Sequence, residues 1–457
     1  MKRIFILLYS ISIVGCTKKL ELKPDSSLVI PETVKDFENM LDNTQIMNLT
    51  TALAQMSADE YYIPTEANFQ SLATPITKTT YVWQPDIFEG KTQIKDWTDP
   101  YGQIFICNSV IDLLSKQSID DDEKRRIKGW ALFGRAYAFY TLASVFAKAY
   151  DPATAETDLG IPLKTTSGIT EIVQRNSVQQ TYDRIIADAL EASELLQQNI
   201  PLSQRNRPSK VAAYAFLARV YTSMRKYEEA AMYGDKALQL YSILTDYNTL
   251  PISNTTTSFA SYNTPEVIYF SRNENSAYAQ TTYSSGALYG VDTNLIKLYS
   301  ASDLRKGVYF RLNANGNYAV SKGINSPVGY PFTGLATDEL YLIKAECLAR
   351  KDKKDDALVV LNTLLKSRYK TNTYVDITAT TSAEALDKIL LERKKELIWR
   401  CVRWTDLKRL NLEGRNIVIK RTLGTTVYSL EPNSSLYVLP IPDDEIALSG
   451  VQQNVRK

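Results

Sequence analysis

Cys16 carries the clearest chemistry in the chain. It ends the run Ile13-Val14-Gly15-Cys16, behind the positive pair Lys2 and Arg3 and an apolar stretch, Ile4 to Val14, too short to span a bilayer. A small residue before a cysteine at the end of such a run marks where bacterial lipoprotein signals are cut. The freed amine and the thiol then carry acyl chains, and several buried chains make a durable anchor where one alone is marginal. Residues 1–15 are therefore expected to be a signal peptide and Cys16 the lipidated first residue of the mature protein. Ile13 stands where Leu is usual.

Other chemistry is notable for what is missing. The chain has no histidine, which removes the usual general base near neutral pH, the Ser-His-Asp and Cys-His arrangements and the commonest zinc ligand. Cys107, Cys347 and Cys401 each sit among apolar residues at helical spacing without a C-x-x-C pairing, so they read as buried free thiols. Neither a metal site nor a cofactor is indicated. Asp120-Asp121-Asp122-Glu123 lacks the glycine and distal glutamate of a calcium loop and reads as the acidic start of a helix. Loss of residues 1–15 also removes Lys2 and Arg3, leaving 51 basic against 51 acidic residues, a balance that argues against nucleic acid as a partner. No second hydrophobic span follows.

The elements that position these residues come from internal repeats. Tyr214-x2-Leu217-Ala218-x2-Tyr221, then Ala230 and Ala237, has the large-small spacing of a tetratricopeptide helix pair, with Lys226-Tyr227 at the turn. A second copy runs Tyr341, Ala345, Leu348, Ala357, with Lys351 to Asp355 between its helices. A third is split: Trp130 to Ala149 is the first helix and Val178 to Gln198 the second, separated by a loop containing Asp151-Pro152, Gly160 and Ile161-Pro162. Two stretches do not follow the repeat: 57–100, and 249–331 with a short strand expected at Pro265 to Phe270. The expected fold is mainly α, with tetratricopeptide-like helix pairs at about 101–245 and 336–410. Insertions at about 57–100 and 246–335 form a loop-rich, partly β cap, and residues 16–457 form one domain.

Several segments, in order, resemble the SusD-like (RagB/SusD) family of outer-membrane nutrient-binding lipoproteins. They are Trp97-x3-Tyr101-x2-Ile104-x3-Asn108, then Arg135 to Tyr140 leading to Gly160-Ile161-Pro162-Leu163, then Tyr182-x2-Ile185-Ile186-x-Asp188 and the Ala212 to Tyr221 repeat. Glu392-Arg393-x2-Glu396-Leu397 follows, continuing to Arg403-Trp404-x-Asp406-Leu407-Lys408-Arg409. Leu439-Pro440-Ile441-Pro442-x2-Glu445-Ile446 and Gln453-Asn454 complete the series. The resemblance implies a helical scaffold anchored on the outer membrane, a lid over a TonB-dependent (SusC-like) transporter, and capture of an oligosaccharide without catalysis. Two departures stand out: Thr17-Lys18-Lys19 follows Cys16 where surface-exposed relatives carry acidic residues, and Trp399-Arg400-Cys401 replaces the usual acidic or glycine residues before Arg403-Trp404.

Within the most specific segment, Glu392, Arg393, Glu396, Arg403 and Asp406 read as an ion-pair network over an apolar floor of Trp404, Ile389, Leu390 and Leu397. Sugar recognition needs exposed aromatic faces and planar polar side chains, which points to the irregular segments. The candidates are Tyr81, Trp83 and Asp86 with Asn68 upstream, and Tyr278, Tyr283 and Tyr289 among Asn275, Gln280 and Ser285. Trp97 falls in a helix-forming motif and reads as packing. Two other function classes stay open at this point, a repeat scaffold that holds protein partners and a glycoside hydrolase with paired carboxylates. Capture of a peptide or other nutrient is a variant of the first reading.

Overall fold

The computed structural model describes residues 31–252, 264–274, 276–280, 288–320 and 330–457. Helices dominate it, and several start where the local sequence supplies a cap. Asp120 accepts the amides of Asp122 and Glu123 ahead of the Asp121–Phe146 helix, so the acidic run is a helix start as expected. Ser177 and Gln180 form a capping box for Val178–Leu195, Ser209 caps Lys210–Ser223, and Thr381 caps Ser382–Glu396.

Each helix packs on the next. Lys95–Leu114 lies on Asp121–Phe146, which lies on Val178–Leu195, then Lys210–Ser223, Tyr227–Leu240 and Thr337–Arg350; the last packs on both Lys354–Lys366 and Ser382–Glu396. This is the stacked geometry of a helical solenoid, in which every pair buries its apolar face against its neighbours. Small residues set the spacing. A Cβ on Gly129 would meet the Leu195 Cβ at 2.9 Å, so only glycine lets the second and third of these helices approach as they do.

The β structure is confined to two-stranded pairs, and several stitch distant segments together. Leu49–Thr50 runs parallel to Arg272–Asn273, and Tyr61–Tyr62 runs antiparallel to Gly290–Val291. The expected strand forms at Val267–Tyr269 and pairs with Leu335–Ala336, just ahead of the Thr337–Arg350 helix. Gly334 precedes that pair, and a Cβ there would lie 2.0 Å from the Tyr269 carbonyl oxygen. Above the repeats, Tyr61, Tyr81, Tyr247, Tyr289, Tyr309 and Trp399 belong to a separate aromatic core.

Repeats and cap meet along a buried ionic seam centred on the Ser382–Glu396 helix. Arg305, fully buried, contacts Asp303 (2.7 Å), Glu392 (2.7 Å) and Glu396 (3.0 Å). Glu396 also receives Arg368 at 2.6 Å, and Arg368 reaches Glu266 at 2.6 Å beside the cap strand. On the other side of the helix, Arg393 and Arg409 share Asp406, each at 2.8 Å, and Arg409 continues to Glu346. Arg219 on the Lys210–Ser223 helix joins Glu339 at 2.6 Å. Glu392, Arg393, Glu396 and Asp406 are in ion pairs as expected, with partners well beyond the motif, whereas Arg403 pairs apart from them with Asp59 at 2.7 Å.

Burial opposes ionisation of Asp406, but Arg393 and Arg409 outweigh it and lower its carboxyl to about 2. A carboxyl depressed below its unfolded value contributes stability that is complete above about pH 4 and is lost as pH falls toward the folded value. Asp406→Asn leaves two buried guanidinium groups without their counter-charge, and should cost about 3–5 kcal/mol at neutral pH. Urea unfolding checks this: the gap between wild type and variant should be full at neutral pH and shrink as pH approaches 2.

Candidate functional site

The residues expected to present ring faces to a ligand do the opposite. Trp83 is 3% exposed, and its indole N–H donates to the Ser57 carbonyl at 3.0 Å. Tyr81 is fully buried and its hydroxyl accepts the Ile63 amide at 2.9 Å. Tyr278 donates to the Asp96 carboxylate at 2.8 Å, and Tyr289 packs against Tyr61 and Trp399. The expectation of exposed rings at these four positions is therefore corrected, because each of the four packs into core. Asp86 is exposed and accepts the Phe88 and Glu89 amides, while Asn68 is half-buried and accepts the Thr65 hydroxyl at 2.6 Å. Cys16, Tyr283, Asn275 and Ser285 lie outside the described residues. Trp97 packs between Tyr101 and Phe146, as its motif suggested.

What holds Tyr81 and Trp83 inward is Arg421, which sequence reasoning missed. It lies on the Ile419–Leu423 strand, where alternate residues point inward. Its guanidinium sits 4.2 Å from the Tyr81 ring centroid, 4.5 Å from Trp83 and 4.9 Å from Tyr61. It also donates to the carbonyls of Met56, Ala58 and Tyr81. The inward parity of position 421 between Ile419 and Leu423 was the available signal. Nearby, Glu60 is pushed up to about 7 by burial, with Gln55 donating to it.

Acid-base chemistry finds no open pair in the seam. The carboxylates of Glu392, Glu396 and Asp406 each face arginine or lysine and are buried. Among the described residues no group of His, Cys, Asp and Glu is placed to hold a metal ion. Cys107 and Cys347 are free, and burial pushes both thiols up to about 12, far from a reactive thiolate. No described helix is long and apolar enough to cross a membrane.

The space that could take a ligand lies elsewhere. A cavity of about 590 Å3 opens between the 148–159 loop, the end of the Arg403–Leu412 helix and the segments 433–438 and 452–455. That volume falls within the roughly 300–1,000 Å3 of small-molecule sites. Its lining is mixed: Leu159, Leu412 and Val438 are apolar, and Asn433, Gln452 and Lys408 are polar. Lys408 belongs to the inward stripe of its helix, with Trp404, Leu407 and Asn411. A lysine at such a position was visible in the sequence as an anomaly.

Comparison with known proteins places this geometry. Residues 18–222 match the family described as "Starch-binding associating with outer membrane", and residues 337–456 match the SusD family. SusD-like protein P2 of Formosa agariphila is 24% identical over 413 residues, 77% of each chain. A SusD superfamily protein from Bacteroides thetaiotaomicron superposes with a TM-score of 0.73 at 20% identity, covering 93% of this chain and 100% of that one. A SusD-like carbohydrate binding protein from Bacteroides vulgatus gives 0.69 at 19% identity, over 92% of this chain and 97% of that one.

Burial of Trp83 sets a second test. Trp83→Ala should destabilise the protein by about 3–5 kcal/mol, the usual cost of emptying a core aromatic site, in denaturant unfolding. A variant of unchanged stability that loses ligand affinity would return Trp83 to a contact role.

Proposed function

We propose that this chain, which belongs to the SusD/RagB family, is a non-enzymatic outer-membrane lipoprotein that captures an oligosaccharide and serves as the lid of a TonB-dependent transporter. What supports this reading most is the pair of family matches at 18–222 and 337–456, one of them to a starch-binding, outer-membrane-associated family, directly behind a leader that ends at Cys16. The helical frame supplies rigidity, and a lid that returns repeatedly to one mouth needs a rigid body. A lipid tether raises its effective concentration at the barrel without adding contacts. The arginine-neutralised carboxylates of the seam favour binding over hydrolysis, which needs two carboxyl groups open to the substrate.

Exposed glycan sites give weak contacts, so affinities of micromolar to millimolar, about 4 to 8 kcal/mol, are expected. Such values suit a protein that hands its cargo on. The test has three arms: a glycan array with the purified protein, co-purification from mildly solubilised membranes, and fractionation of Cys16→Ser. The expected results are binding to one glycan class, recovery with a transporter barrel, and release of the variant from the outer membrane. Failure of every glycan class would remove the carbohydrate reading, and unchanged fractionation of Cys16→Ser would remove the lipid anchor.

A further inference from the structure

Lys408 is a buried cation with no carboxylate partner among the described residues, and it lines the cavity of about 590 Å3 described above. Only 6% of it is exposed. Its ammonium donates to the carbonyls of Ser144 (3.0 Å) and Ala147 (2.7 Å), at the C-terminal end of the Asp121–Phe146 helix. That end carries unpaired carbonyls and the negative pole of the helix dipole, which explains how a lysine can be held there. Two carbonyls use two of three N–H groups, and no described carboxylate comes within ion-pair distance.

The charged groups around it are committed to one another. Across the cavity, Asp158 is taken by Lys148 (2.5 Å) and by the Thr154 hydroxyl (2.7 Å), and Asp151 faces Arg225 at 3.5 Å. On its own helix, Arg403 pairs with Asp59, and Asp406 with Arg393 and Arg409. Tyr437, also in the lining, packs tilted against Trp404 with ring centroids 4.6 Å apart. The cavity thus offers one unbalanced positive charge among neutral hydrogen-bonding groups. Of these, the Gln452 side-chain amide has no partner among the described residues; Asn433, whose amide donates to the Asn411 carbonyl at 3.2 Å, and Ser434, whose hydroxyl accepts the Leu436 amide at 3.2 Å, also line the cavity.

We propose that this cavity binds an acidic sugar unit, a uronic acid residue, with its carboxylate on the Lys408 ammonium and its hydroxyls on the amide and hydroxyl side chains of the wall. The proposal rests on the carbohydrate-capture reading and deepens it by naming the sugar class. Burial alone lowers the Lys408 amine to about 7. The carboxylate binds the ammonium form, so affinity is greatest below about pH 7 and falls as pH rises through it, while a uronate carboxyl, ordinarily near pH 3 to 4, stays ionised throughout.

Calorimetry on the purified full-length protein tests this with glucuronate- and galacturonate-containing disaccharides, their neutral glucose and galactose counterparts, and acetate as a bare carboxylate. At about pH 6 the acidic sugar should bind at least about tenfold more tightly than its neutral counterpart, the value of one charge-assisted contact. That advantage should shrink above pH 8. There, binding should take up a proton, read from the dependence of the heat on buffer ionisation. Lys408→Met should erase the preference and Lys408→Arg should keep it. Because Lys408 also supports a helix end, proton uptake by the wild type decides the matter if Lys408→Met does not fold. Equal affinity for acidic and neutral sugars, without proton uptake, overturns the proposal while leaving glycan capture intact. Acetate binding as tightly as the uronides overturns the sugar class. Absence of binding to all of these sugars overturns this proposal, and the capture reading falls with it only where the glycan array is also blank.

Discussion

A charge buried away from water must be matched within the protein or it unfolds the structure that holds it, and here that constraint joins the two halves of the molecule. Arg305 and Arg368, both fully buried, can be neutralised only if Asp303 and Glu266 from the cap and Glu392 and Glu396 from the Ser382–Glu396 helix arrive together. The second branch, through Arg219, Glu339, Arg393, Asp406, Arg409 and Glu346, does the same for helices contributed by successive repeats. Such pairs add little net stability over apolar packing, yet each is expensive to break. They fix which helix meets which, and they place the cap strand Val267–Tyr269 against Leu335–Ala336 at the head of the Thr337–Arg350 helix.

A cap held this way needs its own core, and its tyrosines provide one. Tyr61, Tyr81 and Trp83 surround Arg421, and Tyr289 leans on Trp399. The aromatic richness of the irregular segments is therefore structural in the described residues. The cavity that could take a ligand opens instead beside the C-terminal segment, where Asn454 donates to the Phe146 and Leu439 carbonyls and closes the chain back onto the Asp121–Phe146 helix. The same helix end that Asn454 secures also carries Lys408.

The repeats were legible because their signal is local and periodic. Tyr214, Leu217, Ala218 and Tyr221 lie within two turns, and their buried helix pair follows directly. The strand at Val267 and the acidic helix start at Asp120 were legible for the same reason. The fate of Trp83 and Tyr81 was not, since it depends on Arg421, more than three hundred residues away, and only tertiary contact brings them together. The cavity is equally non-local, assembled from four separate stretches. The seam stood between these cases: Glu392, Arg393, Glu396 and Asp406 are close in sequence, while Arg305, Arg368 and Glu266 carry no motif. At 399 and 401 the chain adopts positive φ, 58° and 57°, where the family pattern favours acidic or glycine residues. Burial of Trp399 and the Cys401 thiol contact to Asn273 accompany that strained corner.

Native-state hydrogen exchange tests most directly whether the seam makes cap and repeats one cooperative body. Amides of Val267–Tyr269, Ser382–Glu396 and Arg403–Leu412 should exchange through one common opening, with a free energy close to that of global unfolding. Replacing Glu396 by Gln should lower all three together. Exchange of the cap strand through a separate, much less costly opening, with the helices still protected, would contradict a seam that binds the two halves.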